Sequence, residues 1–170
     1  LGNREAILAG LARHGRPIQY AHVPEPLALW DVWTRFAADP VAFEPPSAGF
    51  ALDWHTRAAW RRRGIDFATL THAAGISSTG HPLLDLRLPF DEPYRIPEHT
   101  AAAIKSAKSK VRRIIAIGTT VVRALESAAN ADGSVRSGDG VASGRIGRET
   151  PLRVADAMLS VPFLILAIAL

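Results

Sequence analysis

The chain has 170 residues, of which 48% are hydrophobic and 21% charged, a balance typical of one globular domain with a buried core. Its 20 Lys and Arg residues exceed its 16 Asp and Glu residues, for a formal charge of +4, which permits a polyanionic partner such as RNA without requiring one. There is no cysteine, which excludes a disulfide framework and a thiolate metal site and indicates a reducing, cytoplasmic setting.

The two ends of the sequence resemble interior positions of a longer protein. The chain begins at Leu1 rather than Met and lacks the basic and then apolar pattern of a signal peptide. It closes on the apolar run VPFLILAIAL, which is too short to span a bilayer. We therefore expect a single α/β domain over residues 1–170, the C-terminal part of a larger protein that is a monomer and does not engage a membrane.

In the first half of the chain, helical and extended patterns alternate. Apolar residues recur at helical spacing in NREAILAGLARHG, with Gly15 as a stop, and the proline-punctuated stretch that follows favours extended backbone. A second helix is predicted in DWHTRAAWRRRG, where Asp53 is a typical N-cap and Gly64 a typical end. The next segment, IDFATLTHA, is predicted to be a strand over residues 67–70, and the Gly- and Ser-rich loop HAAGISSTGHP follows it.

The second half continues this alternation. Pro97 is predicted to open a helix that ends near Lys110, and the apolar run RIIAI at 113–117 is typical of a buried central strand. TTVVRALESAAN is predicted to be the next helix, residues 131–150 a flexible Gly-rich connection, and PLRVADAML a last strand. The order of elements predicts an α/β fold, namely a layered α/β/α sandwich with a mixed or largely parallel sheet.

Two strand ends lead into glycine-containing loops, and ligands of α/β sheets gather beyond the carboxyl ends of the strands. His72 stands at the first loop, where an imidazole suits proton transfer but is equally well explained by a structural hydrogen bond. Gly118 stands at the second loop, where it lets the backbone approach a ligand. The free N–H groups of the helix that follows can hold an anion or a polar sugar edge.

The residues around the second loop also have simpler interpretations. Thr119 and Thr120 add hydroxyls to a ligand site, but either one suits a helix cap. Arg123 and Glu126 lie one helical turn apart, so a surface ion pair is their default interpretation. A basic surface for RNA is predicted near the end of the preceding helix, although these cations also match its dipole: Lys105, Lys108, Lys110, Arg112 and Arg113.

Four segments of the chain follow the motifs of one enzyme family, in the same order. YRIPEHTAAAI is similar to a helix start of the form I-P-x-x-T-A-x-A-I, and IAIGTTVVRALE to a segment I-A-x-G-T-T-x-x-R-x-L-E. Upstream, PPSAGFAL resembles a P-T-A-G-L-H-F loop, and TLTHAAG resembles a T-L-H-V-G strand end. The chain thus resembles the S-adenosylmethionine:tRNA ribosyltransferase-isomerase family of queuosine biosynthesis.

The resemblance implies a reaction and a set of site residues. Members of the family transfer the ribosyl part of S-adenosylmethionine, the ribosyl-donor substrate, to 7-aminomethyl-7-deazaguanine in tRNA, giving epoxyqueuosine while adenine and methionine leave. The reaction needs a base that removes the acidic proton next to the sulfonium, and it requires no metal. Carried over by position, the catalytic candidates are His72, Arg123 and Glu126. The substrate-binding candidates are Pro46, Ser47, Ala48, Gly49, Gly75, Gly118, Thr119 and Thr120.

The chain also departs from the family pattern. The histidine of the T-A-G-L-H-F loop is absent, because Phe50 and Ala51 follow the glycine. LDLRLPFDEPY replaces the family's histidine- and glutamate-bearing segment before the I-P helix, and the N-terminal half with its β-rich insertion is missing. An alternative interpretation is therefore a non-catalytic or divergent paralogue that keeps a nucleotide- or RNA-binding α/β domain.

Overall fold

The structure is a computed structural model that describes residues 2–18, 23–39, 42, 47–76, 78–144, 151–155 and 157–159, with residues 29 and 157–159 as backbone only. The helices are α1 (Arg4–His14), α2 (Trp54–Arg62), α3 (Pro82–Asp85), α4 (Glu98–Ser109) and α5 (Thr119–Ala128), with 3-10 turns at Leu29–Asp31 and Ser47–Ala51. The strands are β1 (Thr71–His72), β2 (Glu92–Ile96), β3 (Ile115–Ile117), β4 (Gly138–Ala142) and β5 (Ala157–Leu159). None of the described helices has the length and apolar character of a membrane span.

The described strands form two small sheets. β2 lies in the middle of a three-stranded antiparallel sheet of order β1-β2-β4, with Tyr94 opposite both His72 and Gly140. β3 pairs in parallel with β5, and Ile115 lies opposite Ala157. The predicted α/β class is therefore confirmed. One layered, largely parallel sheet is not what these strands form, because both neighbours of β2 run opposite to it and are not joined to it as parallel βαβ units.

Several predicted segments differ from the structure. RIIAI, predicted to be a buried central strand over 113–117, is strand β3 (Ile115–Ile117) of a two-stranded sheet, and Ile115 is exposed. The strand expected at 67–70 is instead Thr71–His72, because Phe67 packs among aromatic rings and the hydroxyl of Thr100 donates to the carbonyl of Thr69 at 2.7 Å. Within the connection predicted to be flexible over 131–150, Gly138–Ala142 is strand β4 and pairs with all of β2. A Cβ at Gly140 would overlap the ring of Tyr94, so glycine there allows the two strands to pack closely.

The core lies between the antiparallel sheet, α4 and α5. In β2 the side chains alternate, so that Glu92, Tyr94 and Ile96 are buried while the two residues between them are exposed. An inward carboxylate therefore shares a strand face with two apolar side chains. The buried hydrophobic cluster consists of Tyr94, Ile96, Ile104, Ala116, Val122, Ala124, Leu125, Ala128, Ala129, Ala142, Val154 and Ala155.

Candidate functional site

Three of the predicted site segments line one large, open cavity of about 2500 Å³. β1 and β3 belong to different sheets, but α5 packs against both strands and so brings their ends to the same space. His72 and Gly118 therefore share a cavity although their strands are not neighbours. The predicted residues that line the cavity are Ser47, Ala48, Gly49, His72, Gly118, Thr119 and Thr120.

The start of α5 is built on Gly118. This residue is the helix N-cap and has φ +99°, a conformation that strongly favours glycine. No side chain in the described part of the chain caps the helix, so the interpretation of Thr119 or Thr120 as a cap is wrong. The first N–H groups of a helix have no acceptor within it. The turn therefore offers backbone donors and two threonine hydroxyls beside the cavity.

The 3-10 turn Ser47–Ala51 forms the facing wall. A Cβ built at Gly118 would lie 3.4 Å from the Cβ of Ala48. A Cβ built at Gly49 would lie 3.4 Å from Thr34, a buried residue of the same cavity whose Oγ1 has no hydrogen-bond partner among the described residues. The sequence alone does not single out Thr34, since a lone threonine in the mostly apolar stretch LALWDVWTRFAA carries no ligand-site signal. Pro46, the first predicted residue of this loop, lies outside the described residues.

His72 contributes a buried imidazole to the cavity. Its side chain is 4% exposed, and neither ring nitrogen has a hydrogen-bond partner among the described residues. Burial lowers the pKa of His72 from its ordinary value; the nearby carboxylate of Glu92 raises it and the guanidinium of Arg123 lowers it, both more weakly than burial. The ring is thus held in its neutral, proton-accepting form near neutral pH.

Glu92 contacts three of the predicted site residues, although it was not itself predicted to be a site residue. Its carboxylate accepts the backbone N–H of Gly75 at 2.6 Å and pairs with the guanidinium of Arg123. It also lies 3.4 Å from Nε2 of His72. The segment LDLRLPFDEPY, which departs from the family's motif, thus supplies a buried glutamate behind the cavity wall. The signal was present in the alternation of Glu92, Tyr94 and Ile96 along β2.

Arg123 faces the protein interior, where it is 6% exposed. Its Nε donates to the carbonyl of Gly144 at 2.7 Å, and its Nη2 donates to Phe90 at 2.7 Å and to Ala142 at 2.9 Å. With Glu92 on Nη1, four of the five guanidinium N–H groups are engaged. The predicted surface ion pair with Glu126 is therefore wrong: Arg123 binds β4 and the segment before β2 to α5.

Glu126 is equally buried and binds a different part of the chain. Its carboxylate accepts the backbone N–H groups of Arg153 and Val154, both at 2.9 Å. The side chain of Arg153 returns to Glu126, with Nε 3.4 Å from the carboxylate and Nη2 on the backbone carbonyl. In the described part of the chain, Gly75, Arg123 and Glu126 do not line the cavity. Their contacts position the elements that do.

Comparison with known proteins places the chain in a family. The family model described as queuosine biosynthesis protein matches residues 6–163, which is more than half of the chain. The chain belongs to the queuosine biosynthesis protein family. Among the described residues of this family member, no group of three His, Cys, Asp or Glu side chains is placed to hold a metal ion.

Curated relatives of this family carry the name S-adenosylmethionine:tRNA ribosyltransferase-isomerase. The relative from Sorangium cellulosum is 37% identical over 167 residues, which cover 89% of this chain and 44% of the relative. The relative from Gloeobacter violaceus is 38% identical over 111 residues, or 63% of this chain and 31% of the relative. A solved structure of S-adenosylmethionine tRNA ribosyltransferase from Thermotoga maritima is 22% identical, with a TM-score of 0.48, over 66% of this chain and 35% of that one. The chain thus spans less than half the length of these relatives.

Proposed function

We propose that this chain forms the donor-binding part of an S-adenosylmethionine:tRNA ribosyltransferase-isomerase. The observation that carries the proposal is that the family-like turns at 47–49 and 118–120 and the strand end at His72 line one cavity in a chain of this family. S-adenosylmethionine is the ribosyl donor in this proposal, and 7-aminomethyl-7-deazaguanine in tRNA is the acceptor. The product is epoxyqueuosine in tRNA.

His72 acts as the base in the proposed reaction. A carbon next to a sulfonium holds an acidic proton, and a neutral imidazole in the cavity can accept that proton while the electron pair stays on the carbon. The aminomethyl nitrogen of the tRNA base bonds to the ribosyl carbon that carried the sulfonium and loses a proton, while the carbon–sulfur bond breaks and methionine leaves. The glycosidic bond also breaks, and adenine leaves after taking up a proton. Burial helps His72 here, since it keeps the ring neutral and ready to accept a proton.

The start of α5 holds the donor in the proposed complex. The carboxylate of the methionine part is an anion, which suits backbone N–H groups at a helix N-terminus. Because Gly118 has no side chain, the donor can come close to the backbone at the start of α5. Thr120 and Thr34 offer hydroxyls to the ribose. Arg123 and Glu126 support this site from behind, because their described contacts run to other protein groups.

The tRNA approaches the cavity along the basic end of α4. Arg112 and Arg113 line the cavity itself, and Lys105 and Lys110 are exposed on the neighbouring turns. Lys108 is less available, because its Nζ donates to the backbone carbonyl of Arg153 at 2.6 Å. A stretch of cations that borders the cavity would guide the acceptor base of the tRNA toward the donor, since phosphates bind Lys and Arg through charge.

The wider setting of the chain follows from the same proposal. We propose that the chain is one α/β domain in the C-terminal part of a longer cytoplasmic enzyme, active as a monomer. Its two small sheets are extended by the rest of that enzyme into a layered sandwich.

The test is release of adenine from S-adenosylmethionine by the natural protein that carries this sequence, with precursor tRNA as the acceptor. We expect adenine in proportion to modified base, and loss of about 100-fold or more in His72→Gln if the ring is the base. His99→Gln is the matched control, because His99 is exposed on α4 and does not line the cavity. Tight binding of donor or tRNA without adenine release would instead identify a binding paralogue.

A further inference from the structure

A cluster of buried polar and charged groups behind the cavity wall is centred on Glu92. Glu92 is 5% exposed and lies on the inward face of β2, where an unpartnered carboxylate would be costly. One oxygen accepts the N–H of Gly75 at 2.6 Å. The other meets the guanidinium of Arg123 and lies 3.4 Å from Nε2 of His72. The carboxylate therefore contacts the loop, the helix and the imidazole at once.

We infer that Glu92 is a positioning residue for His72, whose carboxylate keeps the imidazole hydrogen on Nε2 and thereby leaves Nδ1 as the proton acceptor. A carboxylate oxygen offers only lone pairs. A lone pair on Nε2, 3.4 Å from that oxygen, would be repelled by it, whereas an N–H there is attracted through charge even without a hydrogen bond. The tautomer with hydrogen on Nε2 is therefore favoured. This inference rests on the proposed function for the use of Nδ1 as a base, but not for the tautomer itself.

Glu92 also fixes where the ring sits. Its bond to Gly75 N–H ties down the loop that leaves β1, three residues after His72. His72 lies opposite Tyr94 in the β1–β2 ladder, two residues from Glu92. Among the described residues, the charged groups that face the ring are Glu92 from β2 and Arg123 from α5. Arg123 in turn is held by carbonyl groups of β4 and of the turn before β2, so the carboxylate cannot easily move away from the ring.

The first experiment reads the tautomer in the unaltered chain. Two-bond nitrogen–proton correlation spectra of labelled protein at pH 8 should show His72 with hydrogen on Nε2 and a bare Nδ1. A spectrum with hydrogen on Nδ1 would overturn the inference, whether or not the protein releases adenine. The proposed function would in that case still be open to its own test, so the two failures are distinguishable.

The second experiment removes the charge with Glu92→Gln. We expect the imidazole of the variant to take up its proton at a lower pH than in the wild type. In a plot of adenine-release rate against pH, the acidic limb should likewise move to lower pH. The rate at pH 7 should fall by roughly 10-fold, since a weaker base in an undefined tautomer transfers protons more slowly. A lower rate with neither titration moved would mean that the carboxylate does not act on the ring. That outcome would overturn the inference.

Two controls keep this experiment interpretable. Asp139→Asn removes a carboxylate from the same sheet, where Asp139 pairs with Arg95 in solvent, and should leave the profile in place. Glu92→Asp retains the charge and should retain the wild-type titration even if the shorter side chain costs activity. If Glu92→Gln does not fold, the tautomer in the wild type and the titration of Glu92→Asp still decide the question.

Discussion

Gly118 and Ala48 face each other so closely that a Cβ on the glycine would lie 3.4 Å from the Cβ of the alanine. These residues belong to the two turns that carry the family-like sequence signals, on either side of residue 72 in the chain. At Gly118 the backbone itself forms the wall of the cavity. Glycine suits this position because it tolerates the positive φ and has no side chain to fill the gap to Ala48. A side chain at Gly118, or one larger than a methyl group at Ala48, would therefore narrow the proposed donor site.

The first prediction tests that wall with Gly118→Val. A β-branched residue at φ +99° is strained by about 1–3 kcal/mol, and its side chain would occupy the space beside Ala48. We expect calorimetry to show loss of S-adenosylmethionine binding.

Gly80→Val is the matched control, since Gly80 also has a positive φ, of +76°, but nothing lies within 4 Å of its Cβ position and it does not line the cavity. It should be destabilised similarly and still bind the donor. Equal donor binding by folded Gly118→Val and Gly80→Val would contradict the assignment, and Gly118→Ala serves if the valine variant does not fold.

The second prediction concerns the buried carboxylate of Glu126. In Glu126→Ala the backbone N–H groups of Arg153 and Val154 lose their acceptor, and a buried donor left without a partner costs about 1–3 kcal/mol. We expect the free energy of unfolding, measured in urea, to fall by that amount or more, and by less in Glu126→Gln, which keeps one acceptor oxygen. Asp132→Asn is the control, because its carboxylate accepts only in an exposed turn. A loss in Glu126→Ala no larger than in Asp132→Asn would show that this contact does not hold residues 151–155.

The sequence predicted the local elements better than the contacts between them. Helices α2, α4 and α5 could be predicted because their signals are local, such as Asp53 as N-cap, Pro97 before Glu98 and the apolar stripe after Gly118. The loops at His72 and Gly118 could be identified from their place after predicted strands, whereas the loop at 47–49 was identified only from the resemblance. The antiparallel pairing of β2 with β4 could not, because it depends on residues 44 positions apart, such as Arg95 and Asp139.

The roles of the charged residues were also beyond the sequence. Arg123 and Glu126 are spaced as an ion pair on one helix, yet each is bound by groups from another strand or loop, which no spacing along α5 reveals. Glu92 was overlooked because an acidic residue next to Pro93 and Asp91 looks like a solvated turn. Only its alternation with Tyr94 and Ile96 indicates that it points inward.

The third prediction follows from the lowered pKa of His72. As pH falls below the ordinary histidine pKa of 6.5, the unfolded chain takes up this proton before the folded one does. The unfolding free energy should therefore be unaffected by this group above about pH 7 and decrease toward pH 5, with a slope of at most about 1.4 kcal/mol per pH unit. His72→Gln should have a shallower slope than wild type. His99→Gln controls for the loss of one histidine. The difference in slope between His72→Gln and His99→Gln therefore measures the effect of burying the His72 ring. Identical slopes in wild type and His72→Gln would contradict the buried, neutral ring.

The fourth prediction concerns the basic end of α4 as a tRNA surface. Lys110 and Arg112 are exposed, and Arg112 lines the cavity. Each phosphate contact releases counterions, so the logarithm of the affinity should fall linearly with the logarithm of salt, and loss of one contact should reduce the slope by about 1. We expect Arg112→Gln and Lys110→Gln each to weaken tRNA binding at 50 mM salt and to flatten its salt dependence.

The control for that surface is Arg95→Gln, which removes a cation that is already paired with Asp139 at 2.7 Å on the antiparallel sheet. Because its charge is offset locally, its loss should change the salt slope less than the loss of Arg112. A filter-binding series from 50 to 300 mM salt measures all three variants against wild type. If Arg95→Gln lowers the slope as much as the two α4 variants do, the tRNA responds to net charge, and the end of α4 is not its binding surface.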